Sequence, residues 1–175
     1  TLDPDLEFTD PLDELGPPGE EGDAPRYDPE IMLPLLTASE TQQRMLAARA
    51  FCEIADERAI PDLIKLLQDL CPLVRVSAAY ALGRNLNEAA VEPLIQQLAA
   101  DWNGYVRKGL VWALGNSSDV RAFAALVDAL KTDIPAVRLW AASSLAQMTK
   151  IGYEQVVAAL PPLIEAMRQD PVAAV

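Results

Sequence analysis

Residues 71–84 read CPLVRVSAAYALGR, and residues 103–116 read NGYVRKGLVWALGN. Each places a Val-Arg pair six residues ahead of an Ala-Leu-Gly triplet. The frame extends along the chain: Arg44, Arg75, Arg107 and Arg138 are separated by 31, 32 and 31 residues. A valine precedes all but the first (Val74, Val106, Val137), and each Arg is followed at the same distance by a small residue and an apolar one. These pairs are Ala50-Phe51, Ala81-Leu82, Ala113-Leu114 and Ser144-Leu145. Upstream, Leu63-Ile64, Leu94-Ile95 and Leu126-Val127 fall into the same register. Self-similarity at one period is the mark of a stacked repeat, because each unit is one supersecondary element that needs its neighbour to bury its apolar face.

Each unit contains two helical patterns joined by a short turn. First (A) helices are predicted near 28–37, 57–69, 88–100, 119–131 and 154–169, and second (B) helices near 40–54, 72–85, 103–116 and 135–149. Within the second B helix, Val74, Ala78, Ala81 and Leu82 fall at i, i+4, i+7 and i+8, a single apolar stripe. Its alanines imply close approach between neighbouring B helices. Pro72 and Pro135 suit a first helical turn, where the missing N–H costs nothing; Pro34 and Pro61 start or bend an A helix. Strand-like alternation is absent from the sequence. The expected fold is all-α: a right-handed α-solenoid of helical hairpins over 28–175, with repeats starting near 28, 57, 88, 119 and 154 and a concave face built from B helices. The closing DPVAAV (170–175) reads as the opening of a fifth B helix, and a stack stopping there would leave apolar surface unpaired.

The net charge of −12 is unevenly spread. Residues 1–30 carry 11 acids against Arg26 alone, whereas residues 31–175 carry 15 acids against 13 bases. Residues 1–27 are rich in Pro and Gly and poor in apolar residues, a composition that cannot offset chain entropy, so a disordered acidic arm is predicted. Inside it FTDPLDELG (8–16) spaces Phe8, Leu12 and Leu15 as one helix face. The arm is either a solubilising leader, a motif that folds on a partner, or an occupant of the chain's own groove. Acidity disfavours nucleic acid, and no apolar run approaches the roughly 18 residues of a membrane span. A cytoplasmic protein is expected. Cys52 and Cys71 lack metal-ligand spacing and read as reduced, buried or half-buried thiols.

The units PLVRVSAAYALG (72–83) and PAVRLWAASSLAQM (135–148) resemble HEAT repeats of the short, bilin-lyase-like type common in cyanobacteria, over residues 28–175. The resemblance implies a protein-binding scaffold or assembly factor. Its implied partner is either an iron–sulfur assembly scaffold or a photosynthetic, phycobiliprotein component. The family also holds bilin lyases, so the alternative it implies is a lyase subunit that transfers a tetrapyrrole, with Trp102, Tyr105, Trp112, Arg107 and Lys108 as chromophore contacts.

The residues themselves argue against independent catalysis and call for no cofactor. The chain has no histidine, the usual general base and metal ligand, and no phosphate-binding glycine motif. Asp56, Glu57, Asp69 and Asp133 stand at helix starts or turns and suit capping. Because Arg44, Arg75, Arg107 and Arg138 recur in every repeat, they read as a structural ladder that pairs with turn acids such as Asp69 and Asp101. Positions where the repeats differ are the better binding candidates. Two, five and nine residues past each Arg lies one B-helix face, which would set Arg49, Tyr80, Trp112 and Trp140 along the groove floor with Arg84 and Asn116 beside them. Trp140 either lines the groove or fills space between helices, and Gly109 is expected to open room for a surface-facing Trp112. The third repeat, with an A–B turn expected to be one residue longer, concentrates Trp102, Tyr105, Arg107 and Lys108. Trp102 there either stacks a ligand or lids the helix pair.

Overall fold

The computed structural model describes residues 27–172, and the acidic arm expected over 1–27 lies outside them save for its last residue. That residue, Tyr27, already packs against the core, and Asp28 caps the first helix by accepting from the Glu30 amide at 2.9 Å. The described residues form nine α-helices and two 3₁₀ turns, with no strand among them. They run α1 (Pro29–Leu35), α2 (Thr41–Ala50), a 3₁₀ turn (Glu57–Ala59) leading into α3 (Ile60–Leu66), α4 (Pro72–Arg84), α5 (Glu88–Ala100) and α6 (Gly104–Ser117). A second 3₁₀ turn (Val120–Ala122) leads into α7 (Phe123–Thr132), followed by α8 (Pro135–Met148) and α9 (Tyr153–Gln169).

Local chemistry sets these boundaries. Pro72 and Pro135 occupy the first turns of α4 and α8, where an amide hydrogen would have no helical acceptor. The Asn103 side chain accepts from the amides of Tyr105 (2.9 Å) and Val106 (3.3 Å) and so starts α6. Asp56 and Asp119 cap the two 3₁₀ turns by accepting from the Arg58 and Arg121 amides, each at 2.9 Å. Pro34 and Pro93 lie inside α1 and α5, and Pro161-Pro162 inside α9; all are A-layer helices.

The odd-numbered helices form an outer A layer and the even-numbered ones an inner B layer. Each B helix packs on its own A helix and on the B helices before and after it, more closely than A packs on A. That difference curves the stack with the B helices on the concave side. It rests on small residues: Ala47, Ala48, Ala78, Ala79, Ala81, Ala113 and Ala141 are wholly buried. Gly83 lets α4 and α6 approach, since a Cβ there would lie 2.5 Å from the six-membered ring of Trp112 and 2.8 Å from the Ala113 Cα. At Gly115 a Cβ would meet Ser144 of α8, 3.0 Å from its Cα.

At the far end α9 closes the stack through Ala159, Leu163 and Ala166. Its other face carries Tyr153, Val157, Leu160, Ile164 and Met167 exposed at helical spacing, an apolar stripe with no partner among the described residues. Asp170, just beyond α9, accepts from the Val172 amide at 2.9 Å. Asp69 and Asp101 make the same turn immediately before α4 and α6.

Gly83→Ala separates these effects. Alanine raises helix propensity by roughly 1 kcal/mol, yet its methyl must part α4 from α6 at a cost of roughly 1–3 kcal/mol. The expected outcome in a thermal melt followed by circular dichroism is a midpoint lowered by several degrees, at about 2–4 °C per kcal/mol for a chain of this size. A raised midpoint would contradict the close packing.

Candidate interaction surface

The four recurrent arginines build a continuous ladder along the A–B turns. Arg44 Nε donates to Asp69 of the next repeat at 2.6 Å, and Arg75 reaches Asp101 through two bonds of 2.7 and 2.9 Å. Arg107 grips Asp133 at 2.7 and 2.6 Å, and Arg138 grips Asp170 at 2.6 and 2.7 Å. The remaining guanidinium nitrogen, Nη1, turns back to its own repeat: to the Ala38 and Ser39 carbonyls, then to those of Asp69, Asp101 and Asp133. Every Arg thus ties the turn before its own helix to the turn one repeat later, and Arg75, Arg107 and Arg138 do so with a bidentate grip that lysine could not supply. Burial disfavours ionised Asp69 and Asp101, but the Arg44 and Arg75 guanidiniums and the Cys71 and Asn103 amides outweigh it and hold both carboxyls below the usual range. Arg138 does the same for Asp170.

Asp133 and Asp170 belong to this ladder although only the first two acids were legible as its acceptors. A signal existed, since Asp69, Asp101 and Asp133 all stand five or six residues before a repeat arginine. The third repeat's turn is not longer than its predecessor: Asp69 and Asp101 each precede their B helix by three residues, and the turn into α8 is the shorter one, with Asp133 two residues ahead. The Asp133 carboxylate accordingly caps Ile134, its immediate neighbour, at 2.7 Å.

The concave ridge departs from expectation at Tyr80. Its side chain is 0% exposed and lies beneath the floor, edge-on to Trp112 with ring centroids 5.5 Å apart. The reason is Gly109, where a Cβ would come within 3.2 Å of Val76 and 3.3 Å of Tyr80. Gly109 therefore makes room for Tyr80, while Gly83 makes room for Trp112, which is half-buried between α4 and α6. Asn116 is drawn inward too, with its Nδ2 donating to the Gly83 carbonyl at 3.3 Å. Trp140 is half-buried on α8 with the Lys108 ammonium 5.5 Å from its ring centroid, a cation–π contact that bridges α6 and α8.

Arg49 and Arg84, from α2 and α4, flank Cys52. Burial dominates that thiol and pushes its pKa up to about 12, against the opposing pull of Arg84 and Arg49. Arg84 is half-buried, and its Nε is shut off from solvent with no hydrogen-bond acceptor among the described residues. Beside it a shallow cavity of about 370 Å³ opens at the B–A turn, lined by Asp56, Glu57, Ile60 and Asn85 among others. Arg49, Arg84, Trp112, Lys108 and Trp140 thus form one band across all four B helices.

A second surface runs along the A–B turns. The residue after each of the first three ladder acids is apolar and exposed: Leu70 at 96%, Trp102 at 75% and Ile134. Trp102 lies over the Arg75 guanidinium, 5.7 Å from its ring centroid, and Tyr105 is exposed in the first turn of α6. Three of the tetrapyrrole contacts implied by resemblance are engaged within the chain: Arg107 with Asp133, Trp102 with Arg75 and Lys108 with Trp140. No group of metal-ligating side chains occurs among the described residues, and no described helix is long and apolar enough to cross a membrane.

Comparison with known proteins agrees with this architecture. A family profile described as HEAT repeats matches residues 29–96 and 91–175. No curated protein matches. The crystal structure of an engineered protein, a Northeast Structural Genomics Consortium target, superposes with a TM-score of 0.64 at 23% identity, over 83% of this chain and 74% of that one. Computationally designed armadillo repeat proteins for modular peptide recognition superpose with a TM-score of 0.62 at 22% identity, over 82% and 76%. Both likenesses are of fold.

Two measurements test this account. A carboxyl held below its unfolded value of about 3.9 contributes stability above that pH and loses it as pH falls through the folded value. Wild type should therefore weaken below about pH 4, and Arg75→Met, which strands the buried Asp101, should cost about 3 kcal/mol at neutral pH and flatten the acid limb of a denaturation series. Separately, the raised and buried thiol of Cys52 should resist a disulfide reagent in the native chain, with only Cys71 reacting until denaturant is added. Rapid native reaction of both would contradict the burial of Cys52.

Proposed function

The chain belongs to the HEAT-repeat family, and on that premise we propose that it is an adaptor that holds a protein partner along its concave face, without covalent chemistry. The observation that carries the reading is the band of Arg49, Arg84, Trp112, Lys108 and Trp140 across the four B helices. Trp and Arg dominate binding energy at protein interfaces because they bring large contact area and directional donors to one spot. Here the tryptophans are braced from behind, Trp112 by Tyr80 and Trp140 by Lys108, so little rotamer freedom remains to be lost on binding.

An extended peptide segment suits a groove of this kind, and the designed armadillo proteins of the same fold class were made for modular peptide recognition. The resemblance to short cyanobacterial HEAT proteins nominates an iron–sulfur assembly scaffold, or a phycobiliprotein component, as the first partner to try, in the cytoplasm. A bilin-transferring role is the weaker reading, because Arg107 and Trp102 are engaged in the ladder and on Arg75.

The test is calorimetric titration of purified candidate partners against wild type, Arg49→Ala and Trp140→Ala, each variant checked for an unchanged melt. A partner seated on the ridge should lose about 2 kcal/mol, roughly thirtyfold in Kd, with either variant. A partner bound equally by all three chains would remove the ridge from consideration and move the site to Leu70, Trp102 and Ile134.

A further inference from the structure

The ridge concentrates cations in a chain that is acidic as a whole. Its variable positions and Lys108 include three cations, Arg49, Arg84 and Lys108, and the acid Glu53, with Glu57 and the Arg58-paired Asp56 at the cavity beside Arg84, while residues 31–175 as a whole carry two more acids than bases. Arg84 is half-buried, so part of its guanidinium still faces the groove although its Nε is shut off from solvent. Apolar surface lies alongside: Trp112, Trp140 and the exposed Leu46 and Leu139. The chemistry that fits is a short acidic segment interspersed with apolar residues.

The chain carries such a segment itself. Residues 5–15 hold Asp5, Glu7, Asp10, Asp13 and Glu14, interleaved with Leu6, Phe8, Leu12 and Leu15, and contain no base. The tether is anchored where it needs to be, because Tyr27 packs on the core at the start of α1, which packs against α2, the first B helix of the ridge. The dozen or so residues between 15 and 27 span up to about 40 Å when extended. Four B helices at about 9 Å spacing cross roughly 30 Å. The tether therefore reaches every position of the band.

We propose that residues 5–15 of this chain dock on its own concave ridge, their carboxylates meeting Arg49, Arg84 and Lys108 and their apolar residues meeting Trp112 and Trp140. The proposal rests on reading the ridge as a binding surface, and it names the first ligand of that surface. A partner must then displace the segment, and its own contact sequence is of the same acidic, apolar-spaced kind. Because the segment is tethered, it competes at a high effective concentration, so a modest intrinsic affinity suffices to screen out weak partners.

Hydrogen exchange read by mass spectrometry on the full chain tests this without any partner. Amides of residues 5–15 should exchange about tenfold more slowly than in a synthetic peptide of residues 1–26. That protection should vanish in 1 M salt, where the Debye length is about 3 Å. It should also vanish in an Arg84→Glu/Lys108→Glu chain. An arm variant with Asp5→Asn, Glu7→Gln, Asp10→Asn, Asp13→Asn and Glu14→Gln leaves the solenoid untouched and should abolish it equally. Exchange at the peptide's rate in wild type would overturn the proposal, as would protection that survives charge removal from the arm. Protection that grows with protein concentration would overturn it as well, by assigning the segment to a second copy. The ridge reading is judged separately: a partner lost on Trp140→Ala while the arm exchanges freely leaves the ridge standing and removes only the arm.

Discussion

The Arg–Asp ladder is the interaction on which the rest of the structure depends. Each guanidinium holds an acid one repeat ahead and a carbonyl of its own turn, so it fixes both the rotation of a hairpin and its distance from the next. Hydrophobic contact between B helices is non-directional and would tolerate several registers; the planar, two-pronged bonds tolerate one. Taking these charges out of water is costly, and attraction repays it only because nearly every polar atom at the turn is engaged. Asp101 shows the completeness, accepting from Arg75, from Gln97 and from the Asn103 amide.

Register fixed in this way allows the B layer to use very small residues. Gly83 and Gly109 are productive only if the facing helix presents Trp112 and Tyr80 at the matching height, and the ladder sets that height. The resulting curvature presses α4 between its neighbours until even Ser77 and Tyr80 are covered. Side chains that would have lined a shallow groove become its foundation, and the surface passes to residues long enough to emerge: Arg49, Arg84, Lys108 and the outer edges of two tryptophans.

The distribution of charge follows the same division of labour. The aspartates of the solenoid, rather than its glutamates, are largely spent on caps and on the ladder, as at Asp56, Asp69, Asp101, Asp119 and Asp170. The concave face carries the cations Arg49, Arg84 and Lys108, and residues 1–30 carry an excess of negative charge. A chain with net charge −12 thus gathers three cations along one face of its B helices.

Period, helix placement and the identity of the ladder arginines could be read from the sequence, because each depends on residue type recurring at a spacing: Val-Arg every 31 or 32 residues, Pro72 and Pro135 at helix starts, alanine on one face. Asp170 could not be read as a ladder acid, since its partner lies 32 residues back where the other acids lie 25 or 26 away. Nor could the fate of the aromatics. Tyr80 and Trp112 occupy equivalent positions in consecutive repeats, one buried and one half-emergent, and the difference arises from glycines on the neighbouring helix rather than from anything near either residue in the chain. Periodicity names the face a side chain leaves from; only the tertiary distance between helices decides whether that face meets solvent.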